Sequence, residues 1–271
     1  RMRAVFRPPS SPADALAMLR DWPPTSRDEL ERHNADFLCV APELVRDIVC
    51  TSGTVGRPIA LPLTGADLDK LAVTEQYAYA AAGLTSADTA LLCVTMNSLF
   101  MAGMAYYLGL QRVGCAVLRQ GAGSPAFQLE LMRRFGVTVV VTVPSFLLAL
   151  LREARRAGLD SCSLPLRKAV LVGESLRTRQ LTPNATARAI HELWDIELFG
   201  SYGNTEMCGS MSECASFCGN HIHPDMVFAE ILKEDGAPAS PGEEGVLVVT
   251  PLQMEGAPLV RYRTGDTSFM V

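Results

Sequence analysis

The sequence predicts an α/β fold: a mostly parallel sheet flanked by helices, with a small β-rich unit at the carboxyl end. Three observations carry that expectation. Between residues 64 and 193, short aliphatic runs alternate with helical patterns of about ten to fifteen residues, which is the rhythm of βαβ units. Residues 137–143 are a β-branched run that reads as a strand within that series. From about residue 225 the texture changes to short strands joined by a turn-rich 233–244.

The elements follow in order. Residues 12–20 are helical in pattern, and Thr25-Ser26-Arg27-Asp28-Glu29 has the cap chemistry of a second helix. Residues 47–51 (DIVCT) read as a strand that enters a glycine-rich stretch, 51–58. Thr64 caps a helix over 65–83. Strands are expected at 90–95, 116–119, 137–143 and 168–172. Helices are expected at 100–113, 125–135 (with Pro at its start), 144–157 and 178–193. The tail has strand candidates at 227–232, 245–250 and 258–262, expected to be antiparallel. This divides the chain into a helical lead-in (1–50), an α/β core (51–224) and a β-rich subdomain (225–271). Ligands of parallel sheets sit beyond the carboxyl ends of the strands, and the motifs below fall mostly at those ends.

Composition excludes some functions. The 271 residues are 48% hydrophobic and 20% charged with net charge −5, which is globular and large enough for one large domain or two small ones. No Lys or Arg stripe offers a footprint for nucleic acid, so an anionic ligand needs local positive potential. The longest apolar stretch, 137–151, is too short to span a bilayer and contains Pro144. With no secretory signal and eight scattered cysteines, a reducing cytoplasm is the expected setting. The chain opens on Arg1 and closes on Val271 just past its last motif, so both ends read as cut.

The sharpest local signal is Thr51-Ser52-Gly53-Thr54-Val55-Gly56-Arg57-Pro58. Two glycines let backbone N–H groups converge, Ser52 and Thr54 add hydroxyls, and Arg57 adds charge, a set suited to polyphosphate. It lacks the Walker spacing; taken alone it also reads as a Ser/Gly/Pro turn between strands. Cys214, Cys218, His221 and His223 form C-x3-C-x2-H-x-H, a candidate tetrahedral zinc site or, equally, a reduced cysteine pair with surface histidines.

The octamer resembles the phosphate-binding loop of the adenylate-forming superfamily, TSGTTGKP, with Val55 in place of a Thr and Arg57 in place of the Lys. Ser201-Tyr202-Gly203-Asn204-Thr205-Glu206 is similar to that superfamily's YGxTE motif, and Arg261-Tyr262-Arg263-Thr264-Gly265-Asp266 to its late TGD motif, in the same order. Within the superfamily, residues 22–31 (WPPTSRDELE), 220–231 (NHIHPDMVFAEI) and 242–266 resemble the phenylacetate–CoA ligase branch, so the likeness covers nearly the whole chain.

The resemblance implies roles. Ser52, Gly53, Thr54, Gly56 and Arg57 would hold the β/γ-phosphates of ATP. Tyr202, with Gly203 and Asn204 beside it, would lie against the adenine. Thr205 would contact the α-phosphate, Glu206 would help hold Mg2+, and Asp266 would accept from the ribose hydroxyls. Gly173-Glu174-Ser175-Leu176 resembles the GGEPL loop, whose backbone lines the adenine and acyl pockets. Residues 97–103 would approach the acyl substrate through Phe100 and Gly103, although Phe100 also reads as plain helix core. Some relatives bind zinc near Cys214 and Cys218, with further cysteines after the TGD motif that this chain does not contain.

The reaction so implied is carboxylate plus ATP to acyl-AMP and pyrophosphate, then transfer to CoA. An aryl or arylacetic acid is the expected substrate, and a homodimer is the candidate assembly. A carrier protein in place of CoA, or a catalytically silent nucleotide- or acyl-binding module, are the rival readings. The superfamily's small C-terminal domain, with its adenylation lysine, has no counterpart after Asp266, so this chain alone is expected to bind nucleotide and turn over poorly.

Overall fold

A computed structural model describes residues 9–51 and 58–271. In chain order these form α1 (Pro12–Asp21), α2 (Arg27–Arg32), β1 (Val45–Cys50), β2 (Ala60–Thr64), α3 (Gly65–Ala81), β3 (Thr89–Leu92), α4 (Met101–Val113), β4 (Ala116–Arg119) and α5 (Pro125–Phe135). They continue with β5 (Val139–Thr142), α6 (Pro144–Arg156), β6 (Lys168–Val172), α7 (Ala185–His191), β7 (Glu197–Asn204), β8 (Gly209–Ser212), β9 (Val227–Leu232), β10 (Gly245–Pro251) and β11 (Tyr262–Ser268).

The main sheet has strand order β4-β3-β5-β6-β7-β8. Five strands run parallel, and β8 returns antiparallel to β7. The two-residue period of a strand sorts its side chains between two cores. Leu91, Val140, Ala169, Leu171 and Leu198 face Met132 of α5, Leu147 and Leu150 of α6 and Ile190 of α7. Their neighbours Ala90, Leu92, Val139, Val141, Val170 and Phe199 face Tyr79 of α3 and Leu110 of α4. Both faces are therefore covered, which is why these strands read as aliphatic runs rather than alternations. Each fully buried Leu, Val or Ile contributes about 1.5–3 kcal/mol relative to exposure.

A third core joins Leu30 of α2, Val49 of β1, Ile59, Leu71 of α3, Met207, Val249 of β10 and Tyr262 of β11. It holds the antiparallel hairpin β1–β2 and the three-stranded antiparallel sheet β11-β10-β9 against α3. Thr64 caps α3 as expected: its hydroxyl accepts from Asp67 N–H (3.2 Å) and the Asp67 carboxylate accepts from Thr64 N–H (2.8 Å). The same fully buried carboxylate accepts the amides of Glu255 and Gly256 at 2.8 and 2.9 Å, tying the helix to the loop after β10.

Three expectations need correction. The helix expected over 178–193 is only α7. Pro183 has no N–H and disfavours a helical Thr182. The preceding residues close a turn instead, with Thr178 N–H donating to Thr182 C=O at 2.8 Å and Leu181 at φ 59°. The strand expected over 258–262 begins where that range ends, because Arg261 at φ 50° breaks the extended backbone; β11 then carries Thr264, Gly265 and Asp266 as strand residues. Strands β7 and β8 were not anticipated. The SYGNTE motif lies on the end of β7 and the turn that leads back into β8. No helix among the described residues is long and apolar enough to cross a membrane.

Candidate functional site

Among the described candidate residues, Phe100, Gly173, Glu174, Ser175 and Tyr202 to Glu206 follow or end β3, β6 and β7 on their carboxyl side, and Asp266 lies on β11. Ser52, Gly53, Thr54, Gly56 and Arg57 lie outside the described residues. Their approach is fixed on both sides: Thr51 N–H donates to Ile59 C=O at 3.0 Å, and Cys50 N–H donates to Leu99 C=O at 2.8 Å. The second bond sets the loop before α4 beside the entrance to the phosphate-loop candidate.

That loop is backbone-strained. Ser98 and Leu99 are consecutive non-glycine residues at φ 61° and 58°, a conformation that costs free energy and is retained where surrounding structure demands it. Phe100 is the N-cap of α4 and is 36% exposed, so it is not helix core. Gly103 is buried, and an added Cβ would collide with the Thr95 carbonyl oxygen. Its contribution is the close approach of α4 to the end of β3, not a side-chain surface.

After β6, Gly173 turns at φ 76°. The Glu174 carboxylate accepts the Ser145 hydroxyl and the Ser145 N–H (3.2 Å), so it caps the N-terminus of α6, where Val143 supplies no side-chain cap. Ser175 is likewise engaged within its own turn, donating to Arg177 C=O at 2.9 Å. What this loop offers a ligand is backbone.

The turn after β7 is closed by Asn204, whose Oδ1 accepts Met207 N–H at 2.7 Å. Gly203 is required there, because an added Cβ would lie 2.8 Å from the Gly209 carbonyl oxygen. Tyr202 donates its hydroxyl to Asp266 Oδ2 at 2.6 Å, and Asn204 Nδ2 donates to the same phenol oxygen at 3.4 Å. Burial, then the Asp266 carboxylate, push the Tyr202 phenol well above its ordinary pKa, so it stays a donor. Two motifs 64 residues apart thus meet in one short hydrogen bond.

Glu206 is 7% exposed. Its Oε1 accepts the Tyr262 hydroxyl at 2.8 Å and faces the Arg27 guanidinium at 3.4 Å. Tyr262 is raised well above its ordinary pKa by burial and then by the Glu206 charge. Thr205 lies on the same turn, its carbonyl accepting Cys208 N–H at 3.2 Å.

Sequence reasoning passed over the ion pairs that brace these motifs. Arg177 donates to both oxygens of Glu213, at 2.8 and 3.0 Å, and Glu213 Oε2 also accepts Gly200 N–H at 2.9 Å, just before Ser201-Tyr202. Arg261 donates to both oxygens of Glu230, at 2.9 and 3.1 Å, joining two of the family-like stretches, and its third nitrogen holds Arg20 C=O and Trp22 C=O. An Arg and a Glu flanking recognised motifs were the available signal, but their pairing over intervals of 31 and 36 residues was not.

The C-x3-C-x2-H-x-H residues do not converge. Among the described residues, no group of three or more His, Cys, Asp or Glu is placed to hold a metal ion. Cys214 is paired with His221, which draws its thiol down to about 7. Cys218 donates to Ser216 C=O at 3.0 Å, and His223 packs on Tyr77 with ring centroids 5.2 Å apart. The four-ligand zinc expectation is not met by this arrangement.

The family description for AMP-binding enzymes matches residues 15–255. Phenylacetate–coenzyme A ligase from Escherichia coli is 30% identical over 257 residues, covering 93% of this chain and 57% of that protein. The Thermus thermophilus enzyme of the same name is 30% identical, covering 92% and 55%. The chain thus spans just over half the length of these curated relatives. Among solved structures, 2-hydroxyisobutyryl-CoA ligase with its acyl-AMP superposes with TM-score 0.82 at 20% identity over 92% of this chain and 53% of that one. O-succinylbenzoate coenzyme A synthetase from Bacillus subtilis, with ATP and magnesium, gives 0.64 at 22% identity over 82% and 47%; both show the shared fold. The chain belongs to the family of AMP-binding enzymes, with phenylacetate–coenzyme A ligases among its relatives.

Proposed function

We propose that the whole protein activates a carboxylic acid with ATP, forming acyl-AMP and pyrophosphate, and then passes the acyl group to CoA. The observation that carries this reading is the 2.6 Å contact between Tyr202 and Asp266, which sets an aromatic ring and an acceptor-only carboxylate side by side near the carboxyl end of β7. Such a pair suits an adenine and the adjoining ribose diol.

In this reading Asp266 accepts from the ribose hydroxyls, Tyr202 lies along the base, and Gly203 and Asn204 hold the turn that presents them. The backbone of Gly173, Glu174 and Ser175 closes the other side of the base. Thr205 meets the α-phosphate, while Ser52, Gly53, Thr54, Gly56 and Arg57 hold the β/γ-phosphates. The Glu206 carboxylate suits a hard divalent cation that prefers oxygen ligands. Glu206 would hold Mg2+ together with phosphate oxygens, and the bound ion would neutralise charge on the polyphosphate. Phe100, exposed beside the phosphate-loop entrance, faces the acid, and an aryl or arylacetic acid matches an aromatic wall. Catalysis rests on aligning carboxylate and α-phosphate within preorganised donors, with no covalent enzyme nucleophile. In this reading residues 51–224 are the α/β nucleotide- and acyl-binding core, residues 1–50 its lead-in and residues 225–271 the β-rich subdomain that supplies Asp266.

The test is acid-dependent pyrophosphate exchange by the full-length protein across aryl, arylacetic, fatty and amino acids, followed by thioester analysis with CoA or a carrier protein. Exchange with aryl or arylacetic acids and a CoA thioester is expected. Absence of exchange with every acid would overturn the reading.

A further inference from the structure

The lead-in to α2 is built to a fixed register against the strand that carries the TGD motif. Thr25 N–H donates to Arg261 C=O at 2.9 Å, Arg263 N–H donates to Thr25 C=O at 2.9 Å, and the Thr25 hydroxyl reaches Val260 C=O at 2.7 Å. Arg261 clamps the same segment through Arg20 C=O and Trp22 C=O. Two residues beyond Thr25, Arg27 opens α2. The Ser26 and Glu29 amides are served by the Ser26–Glu29 capping box, so the helix start is capped without the Arg27 side chain.

Instead Arg27 reaches Glu206. Its Nη1 lies 3.4 Å from Oε1, the oxygen that already accepts the Tyr262 hydroxyl, and Arg27 also lies against that phenol. Glu206 is 7% exposed and Arg27 is 31% exposed. A carboxylate so buried requires fixed donors or a cation, and both donors act on one of its two oxygens. Holding one oxygen from behind sets the plane of the carboxylate and the direction in which the other can act.

We propose that Arg27 is a positioning residue of the nucleotide site, which with Tyr262 grips Oε1 of Glu206 and so orients this carboxylate toward the magnesium–nucleotide. The lead-in is thereby part of the active site rather than an appendage to it. This rests on the reading of Glu206 given above, and the experiment separates the two.

In the full-length protein, Arg27→Ala, Arg27→Lys, Glu206→Gln and the double variant Arg27→Ala/Glu206→Gln are compared in two assays. One is magnesium-dependent pyrophosphate exchange with its KM for ATP; the other is calorimetric binding of AMP without magnesium. A long, partly exposed charged contact sits at the weak end of its class, so Arg27→Ala should lower the exchange rate by about tenfold. The KM for ATP and magnesium-free AMP affinity should stay within about threefold, because the lost contact acts on Glu206 rather than on the nucleotide. Arg27→Lys should restore most of the rate. In the Glu206→Gln background, Arg27→Ala should cost at most about twofold more, the signature of residues acting as one unit. The proposal is overturned if Arg27→Ala leaves exchange unchanged, if it weakens magnesium-free AMP binding as much as it slows exchange, or if the two losses multiply. If Glu206→Gln itself leaves the magnesium dependence unchanged, the assignment of Glu206 falls first and Arg27 with it.

Discussion

Arg177→Ala is expected to destabilise the protein out of proportion to a surface ion pair. Arg177 is 14% exposed and Glu213 is 2% exposed, and the pair is bidentate at 2.8 and 3.0 Å. Deleting one partner strands a buried charge, which costs about 3–5 kcal/mol, against 0–1 for an exposed pair. For a chain of 271 residues, at about 2 °C per kcal/mol, the melting temperature should fall by roughly 6–10 °C. Glu213→Gln added to Arg177→Ala removes the stranded charge yet keeps an oxygen for the Gly200 N–H, which now lies 2.9 Å from Glu213 Oε2. The double variant should therefore melt above the single one, which is the reverse of additive losses. Thermal scans of the parent, both single variants and the double variant decide the matter. An Arg177→Ala protein that melts within about 2 °C of the parent, or a double variant less stable than Arg177→Ala, would refute the argument that the pair is a desolvated brace.

Asp266→Ala should weaken AMP binding by roughly 10- to 150-fold with or without magnesium, since hydrogen bonds to a charged acceptor are worth about 1.5–3 kcal/mol; calorimetry reads it, and unchanged affinity would remove Asp266 from the ribose site. Gly103→Ala should cost on the order of 1–3 kcal/mol, because its Cβ meets the Thr95 backbone rather than a movable side chain, and denaturant melts give the value. Glu75 is 2% exposed, and burial pushes its carboxyl up to about 7, the nearby Ser210 hydroxyl pulling the other way. The folded state then holds a proton that the unfolded chain has released above about 4.5, so stability falls as pH rises from there to about 7. Glu75→Gln should accordingly stabilise the protein at pH ~8 by about 1–3 kcal/mol and have little effect near pH ~4; equal melting shifts at both pH values would count against it.

Much of the architecture is a local property and was legible as such. Thr64 as a cap, the α3 to α6 helices, the aliphatic strands and the antiparallel tail each follow from neighbours within a few residues, because capping and side-chain periodicity are decided at that range. The motif residues were legible for a different reason. Tyr202, Glu206 and Asp266 stand in short runs whose order resembles a known family, and the family match over residues 15–255 bears out the family for the stretch that holds Tyr202 and Glu206, ending before Asp266. Local reading failed where a long-range contact or a backbone break intervened: Pro183 cut short the helix expected from residue 178, and Arg261 in a left-handed conformation delayed β11 to Tyr262.

What only the tertiary structure decided is which partner each polar group found. Glu174, Glu206 and Glu213 are three carboxylates in or near recognised motifs, and nothing in their sequence neighbourhoods names the side chains they pair with. One caps α6 through Ser145, one meets Arg27 and Tyr262, and one is locked to Arg177 and the Gly200 amide. The same holds for C-x3-C-x2-H-x-H, whose spacing allowed four ligands and whose backbone pairs Cys214 with His221 without gathering a metal-binding group among the described residues. Local preferences choose helix, strand or turn from the few residues around a position. A contact between residues 27, 206 and 262 depends on how the whole chain closes its loops and packs three cores, and a buried charge is satisfied only by whatever that closure delivers.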